Sequence, residues 1–208
     1  ALSDLEVIHE ETKGYIYYIK YPINNKESIT VATTRPETML VDTVIAVNPT
    51  DDRYKKFIGK EALLPLVWRK IPIISDSLIN PEFGTGALKV TPAHDPVDFE
   101  IGENHALDII TVINYNGHII DATGEYNGLE RFEARNLIVK RLETEGYLEK
   151  TEEYIHSIGY CQRCMTIVEP LITKQWFVKV KPLAKPALEA VKKGAISIVP
   201  ERFTRVYV

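Results

Sequence analysis

The stretch "FGTGALKVTPAHDPVDFE", residues 83–100, carries a strand and a helix start back to back. Gly84 and Gly86 flank Thr85 ahead of an apolar run, as a turn with positive φ or a backbone closely approached by a ligand requires. "GALKVTP" (86–92) then reads as a strand. Its period of two sets Leu88 and Val90 on a core face, and Lys89 and Thr91 on the opposite face, towards either solvent or a pocket mouth. Pro92 ends the strand. Asp95 is the expected N-cap of the helix that follows, Pro96 fits its first position and Asp98 falls at the third. Asp98 is too short for the reach back to the cap that Glu or Gln makes from there. It is expected to point forward, where a carboxylate at a helix N-terminus can hold a cation such as an α-ammonium. His94 with Asp98 would supply only two metal ligands, and neither Glu100 nor His105 completes a known spacing, so no metal is expected.

Upstream, "SITVATT" (28–34), "DTVIAV" (42–47), "EALLPLV" (61–67) and "KIPIIS" (70–75) are further short strands at close intervals, the pattern of a barrel or sandwich. No element is assigned before residue 28, and a short helix is expected over 51–58. In "TTRPETMLVDT" (33–43), Pro36 opens a helix with a threonine cap, and Glu37 lies favourably near its dipole. Thr33, Thr34 and Arg35 at that junction offer hydroxyls, N–H groups and a charge that suit a phosphate, a carbonyl or a ribose.

Downstream, "TVINYNGHIID" (111–121) reads as a hairpin about Asn116 and Gly117. "LERFEARNLIVKRLETEG" (129–146) reads as a helix with Leu129, Phe132, Val139 and Leu142 on one face, closed by Gly146. A β-like "EEYIHSIGY" (152–160) precedes the Cys161–Cys164 turn, and "PLAKPALEAVKKG" (182–194) is a last helix. The final "ISIVPERFTRVYV" (196–208) is strand-like.

The net charge of −4 argues against a general nucleic-acid binder with a basic surface, while a short single-stranded end needs only a few donors and stacking faces. No apolar run reaches the roughly 18 residues of a membrane span. No signal peptide is visible and Ala1 already lies in patterned sequence, so the chain is expected to be an excised fragment. With two cysteines in the chain no disulfide framework exists, and a cytoplasmic setting is expected. Cys161 and Cys164 have zinc spacing but are two ligands where a structural site takes four, so they are expected to form an unmetallated turn.

Taken together, "TTRPETML", "GTGALKVTPAHDPVDFE", "GLERFEAR" and "VEPLITKQWFVKVKPLAKPALEAV" resemble, across essentially the whole chain, the editing domain inserted into class I aminoacyl-tRNA synthetases for valine, isoleucine and leucine. The leucyl enzymes share the T-T-R-P and A-H-D-x-x-D elements but typically lack the Lys-x-Thr before the second. Lys89 and Thr91 therefore point to the valyl member. The H-I-G-H and K-M-S-K-S signatures of the aminoacylation site are absent.

The resemblance implies a mainly β fold: a closed six-stranded β-barrel with peripheral α-helices. It implies one inserted domain over 1–208, of which about 150–208 is the return segment to a catalytic body. The implied activity is hydrolysis of the ester of mischarged Thr-tRNA(Val), with no cofactor, by a monomer whose partners are the tRNA(Val) 3′ end and the rest of the parent synthetase. A hydrophobic synthetic pocket cannot strongly reject an isostere that adds only a hydroxyl, so a second, polar site is needed. By the same resemblance, Asp98 clamps the substrate ammonium with help from Asp95. Lys89 and Thr91 meet the threonine hydroxyl, and Phe83 forms a wall. Thr33, Thr34 and Arg35 hold the ester and terminal adenosine, and His94, Gly84 and Gly86 complete the substrate site. The nucleophile is water, since no Ser-His or Cys-His arrangement is legible. Val41 stands where the valyl family often has glycine, which implies either ordinary backbone there or an altered adenosine pocket. The alternatives are editing for isoleucyl or leucyl tRNA, and a catalytically silent module that docks the tRNA 3′ end.

Overall fold

The computed structural model describes residue 2 and residues 4–120, 124–174 and 176–207. Residues 1–172 and 173–208 form two compact units. The first unit is built on two sheets. In one, the order is β2 (Ser28–Thr33), β1 (Val7–Pro22), β7 (Leu148–Cys161), all antiparallel. In the other, the order is β4 (Glu61–Leu64), β5 (Arg69–Ser75), β3 (Val44–Val47), β6 (Ala87–Val90), with β3 and β5 parallel.

The closed six-stranded barrel is not formed: among the described residues the two sheets stay separate and open. Closure demands that tilt and stagger carry a hydrogen-bonded ladder right round. Here β2 and β6 run close to one another, yet no ladder joins them. β6 has only four residues before Pro92, and β2 gives way to the Pro36 turn. The longest strand, β1, enters the main core only with its second half, through Ile19 and Tyr21, and spends its first half in a two-stranded ribbon with β7.

β3 is the hub, because all four of its residues are buried. Ile45 and Val47 face the main core with Ile19, Val31, Leu64, Ile71 and Ile73, while Val44 and Ala46 face a second cluster with Val90, Ile79 and Ile101. Ile101 belongs to α1 (Pro96–Asn104), so that helix covers the outer face of β3 and β6. Direct pairing of Ile45 with Lys89 in the antiparallel ladder puts Lys89 on the main-core side, not towards solvent.

Local expectations were met unevenly. A 3₁₀ turn over Pro36–Val41 does follow Pro36, but no side chain caps it. Thr33 Oγ1 instead accepts from the Arg35 N–H at 3.0 Å. The helix over 51–58 reduces to one 3₁₀ turn, Lys55–Phe57. The 111–121 hairpin survives as an isolated bridge, Ile113 to Ile119, with Gly117 at positive φ; Asp121 lies outside the described residues. α2 (Arg131–Thr144) buries Ala134, Ile138 and Leu142, whereas Phe132 lies half-buried under the guanidinium groups of Arg131 and Arg135. Val41 has no left-handed backbone and packs in the main core.

In the second unit, α3 (Val180–Lys192) ends at Gly194 and buries no residue. The strand-like 196–208 is instead a 3₁₀ turn (Glu201–Phe203) and a short helix, α4 (Thr204–Tyr207); Val208 lies outside the described residues. No helix among the described residues is long and apolar enough to cross a membrane.

Candidate functional site

A cavity of about 390 Å³ opens where β2, β6 and the start of α1 converge. Thr33, Thr34, Arg35, Phe83, Gly86, Lys89, Thr91, His94, Asp95 and Asp98 all line it, together with Thr38, Asn80 and apolar side chains such as Ile16 and Val97. Gly84 is not in the lining. It holds φ +57°, and a Cβ there would sit 2.8 Å from Ala32 Cβ. At Gly86, φ is +80° and a Cβ would fall 2.7 Å from the Pro81 carbonyl oxygen. The close approach anticipated at these glycines is thus made by the protein itself.

Lys89 is almost completely buried, and all three protons of its ammonium are spoken for. Nζ donates to Thr38 Oγ1 at 2.8 Å, to Thr91 Oγ1 at 2.9 Å and to Asp42 Oδ1 at 3.0 Å. Asp42 has no exposed side-chain surface. It also accepts from Thr91 Oγ1 and, at its other oxygen, from the Tyr21 hydroxyl, both at 2.7 Å. Burial pushes the Asp42 carboxyl up, against the Lys89 charge and the hydrogen bonds from Tyr21, Thr91 and Lys89. Asp42 and Thr38 were not picked out from the sequence. The one available signal for Asp42 was a lone charge inside the apolar run "MLVDTVIAV" (39–47).

Asp95 caps α1 as expected, its Oδ1 accepting from the N–H groups of Val97 at 2.8 Å and Asp98 at 3.1 Å. Asp98 does not reach back to the cap. Its Oδ2 accepts from the Thr91 N–H at 2.7 Å, which ties the helix start to the end of β6. Burial, reinforced by the neighbouring Asp95 and Asp42 and opposed by Lys89, pushes Asp98 up to about 7.

His94 is buried, and its Nε2 accepts from the Val112 N–H at 2.9 Å, so the proton sits on Nδ1. Burial and the charges of Arg35 and Lys89 pull it down to about 4, leaving the ring neutral at ordinary pH. Its Nδ1 lies 3.8 Å from Glu169. Arg35 is likewise engaged within the protein: it donates to the His94 carbonyl at 2.8 Å and pairs closely with Glu169. Glu37, beside it, is fully buried and held by two bonds from Arg135, at 2.7 and 2.8 Å. Burial raises the Glu37 carboxyl, and Arg135 and Arg35 outweigh that to leave it lowered. Glu169 and Arg135 gave no signal in the sequence as partners of this junction, because they lie more than ninety residues downstream. Phe83 stands half-exposed at the rim with its ring edge-on to Tyr154.

Cys161 is buried and Cys164 exposed, both free. Among the described residues no group of three or more His, Cys, Asp and Glu is placed to hold a metal.

The titrations of Asp98 and His94 oppose each other in stability. Asp98 is raised above its ordinary 3.8, so its contribution is full below that value and is lost as pH rises towards 7. His94 is lowered below its ordinary 6.5, so its contribution is full above that value and is lost as pH falls towards 4. Asp98→Asn removes only the first. The stability of the variant relative to wild type should therefore improve by roughly 2–4 kcal/mol between pH 4 and pH 7 in urea unfolding. Parallel pH profiles would contradict the burial of an ionisable Asp98.

A sequence profile described as leucyl-tRNA synthetase, editing domain, matches residues 51–143. The whole chain is similar to part of the valine–tRNA ligases of Thermotoga maritima (55% identical over 208 residues, 24% of that protein) and Clostridium acetobutylicum (53%, 24%). The match to that of Symbiobacterium thermophilum is 54% identical and covers 23% of that protein. The chain thus spans about a quarter of the length of these relatives. In structure, 87% of the chain superposes on 28% of a LeuRS from Agrobacterium radiobacter K84, solved as a ternary complex with tRNA and LeuAMS, with a TM-score of 0.52 and 16% identity.

Proposed function

We propose, for a chain that matches the editing-domain region of bacterial valine–tRNA ligases at high identity along its whole length, that the cavity hydrolyses the ester of threonine misattached to the 3′ end of tRNA(Val). The observation that carries this reading is the pairing, in one cavity of about 390 Å³, of a buried carboxylate at a helix start with a buried polar cluster on the adjacent strand. Asp98 is the group that takes the substrate ammonium. An incoming cation stabilises the ionised carboxylate, so binding draws Asp98 out of its protonated form. The hydroxyls of Thr91 and Thr38, backed by Lys89, read the β-hydroxyl of threonine. A valyl side chain would leave those groups unpaired in a desolvated place, which disfavours it.

Asp95 fixes the position of Asp98 by capping its helix. Arg35 and His94 are framework: one ties the β2 junction to the loop before α1, and the other fastens that loop to residues 112–113. Thr33 and Thr34 border the cavity where the ester and the terminal ribose fit, with Phe83 at the rim as an apolar wall. Water is the nucleophile, positioned by the bound substrate and the surrounding hydroxyls, so that rate comes chiefly from holding the ester and water together. The tRNA 3′ end and the remainder of a synthetase are the partners, and the chain acts as a monomer. With the 208-residue chain in excess over charged tRNA, Thr-tRNA(Val) is expected to lose its amino acid faster than Val-tRNA(Ile) or Ile-tRNA(Leu). Faster loss of either of the latter would assign the site to a different synthetase.

A further inference from the structure

Hydrogen-bond direction in the buried cluster has a consequence for what the cavity accepts. Backbone carbonyls only accept, so the Thr38 hydroxyl, 3.1 Å from the Arg35 oxygen, spends its proton there. Ammonium groups only donate, so Thr38 and Thr91 each receive a proton from Lys89. The Thr91 hydroxyl gives its own proton to Asp42. Lys89 has then used its three protons on Thr38, Thr91 and Asp42. What faces the cavity from these three side chains is lone pairs. Asp42 is outside the cavity lining, yet it fixes this polarity, since it takes both the Thr91 proton and the third Lys89 proton.

We propose that Asp42 is a positioning residue that turns the wall formed by Lys89, Thr91 and Thr38 into a surface of hydrogen-bond acceptors alone, so that the site selects a substrate side chain able to donate a hydrogen bond. This rests on the reading of the cavity as a site for an aminoacyl ester, and it sharpens that reading. Polarity alone is not what is recognised. A hydroxyl at the β-carbon satisfies the wall, a methyl does not, and a group of hydroxyl size that can only accept is rejected as firmly as a methyl. Asn80, Thr33 and Thr34 border other parts of the cavity; Asn80 Oδ1 and Thr33 Oγ1 already accept backbone N–H bonds from Glu82 and Arg35, so what these two offer the ester and ribose oxygens is their own protons.

The test uses the 208-residue chain and three non-hydrolysable amides of 3′-amino-3′-deoxyadenosine, bearing threonine, its isostere with fluorine in place of the hydroxyl, and valine. Binding is followed by NMR. The threonyl amide is expected to bind about 5- to 100-fold more tightly than the other two, which bind alike. Thr91→Ser should keep that preference, and Thr91→Val should erase most of it. A fluorinated amide that binds as tightly as the threonyl one, or a Thr91→Val chain that keeps the full preference, would overturn the inference while leaving the editing reading intact. Failure of all three amides to bind, or equal binding of all three, would remove the editing reading and this inference with it.

Discussion

Asp42→Asn is expected to destabilise the protein by about 3–5 kcal/mol, the usual penalty for removing one partner of a buried ion pair. The substitution keeps size and leaves an oxygen for the Thr91 hydroxyl, and its one changed contact, the neutral bond from the Tyr21 hydroxyl, is worth only about 1 kcal/mol, so neither a cavity nor a lost neutral bond explains such a loss. What it leaves behind is the Lys89 ammonium, which is about 5% exposed and, among the described residues, has no other carboxylate bonded to it. The melting temperature should fall by roughly 10 °C. The partner change makes the assignment specific. Adding Lys89→Met to Asp42→Asn removes the stranded charge, so the double variant should recover much of the stability that the single one loses. A loss below about 1 kcal/mol, or a double variant no more stable than the single, would show that the pair is not the electrostatic keystone of the cavity floor.

Asp98→Asn should separate folding from chemistry. A residue that merely follows the cap at a helix N-terminus loses about 0.3–1 kcal/mol when its charge is removed. Near neutral pH that loss should shrink, because burial pushes Asp98 up to about 7 and leaves only part of it charged. Hydrolysis is a different matter. Loss of the charge partner of a largely desolvated ammonium costs on the order of 2–5 kcal/mol, a fall of tens- to thousands-fold in rate. A fully folded Asp98→Asn chain is therefore expected to be close to inactive on Thr-tRNA(Val). If it hydrolyses that substrate at nearly the wild-type rate, Asp98 is a structural tie between α1 and β6 and the ammonium is held elsewhere.

What the sequence discloses about this molecule is mostly what is local. The period of two in "GALKVTP" separates Lys89 and Thr91 from Leu88 and Val90, and the Asp95–Pro96 start of α1 follows from capping chemistry alone. The destination of the Lys89 face is not local, since its partner Asp42 lies 47 residues away and Tyr21 further still. Nothing in a window of ten residues distinguishes a lysine in solvent from one packed on a carboxylate. Arg35 illustrates the same limit: its charge suggests an anion site, and the anion turns out to be Glu169, 134 residues downstream. β1 went unread because "HEETKG" (9–14) interrupts the apolar pattern in the half of the strand that forms the exposed ribbon with β7. The resemblance pointed to residues most of which line one cavity, Gly84 excepted, and to the wrong closure of the sheets. Closure depends on ladder bonds at both junctions between the two sheets, and no motif encodes them.

The central claim is that this cavity removes threonine and spares valine, and the most direct measurement is the ratio of single-turnover hydrolysis rates for Thr-tRNA(Val) and Val-tRNA(Val) with the 208-residue chain in excess. The account predicts that threonine is released about ten- to a hundredfold faster, the discrimination expected when a buried polar cluster goes unpaired against the wrong substrate. Equal rates for the two esters, or faster release of valine, would contradict it.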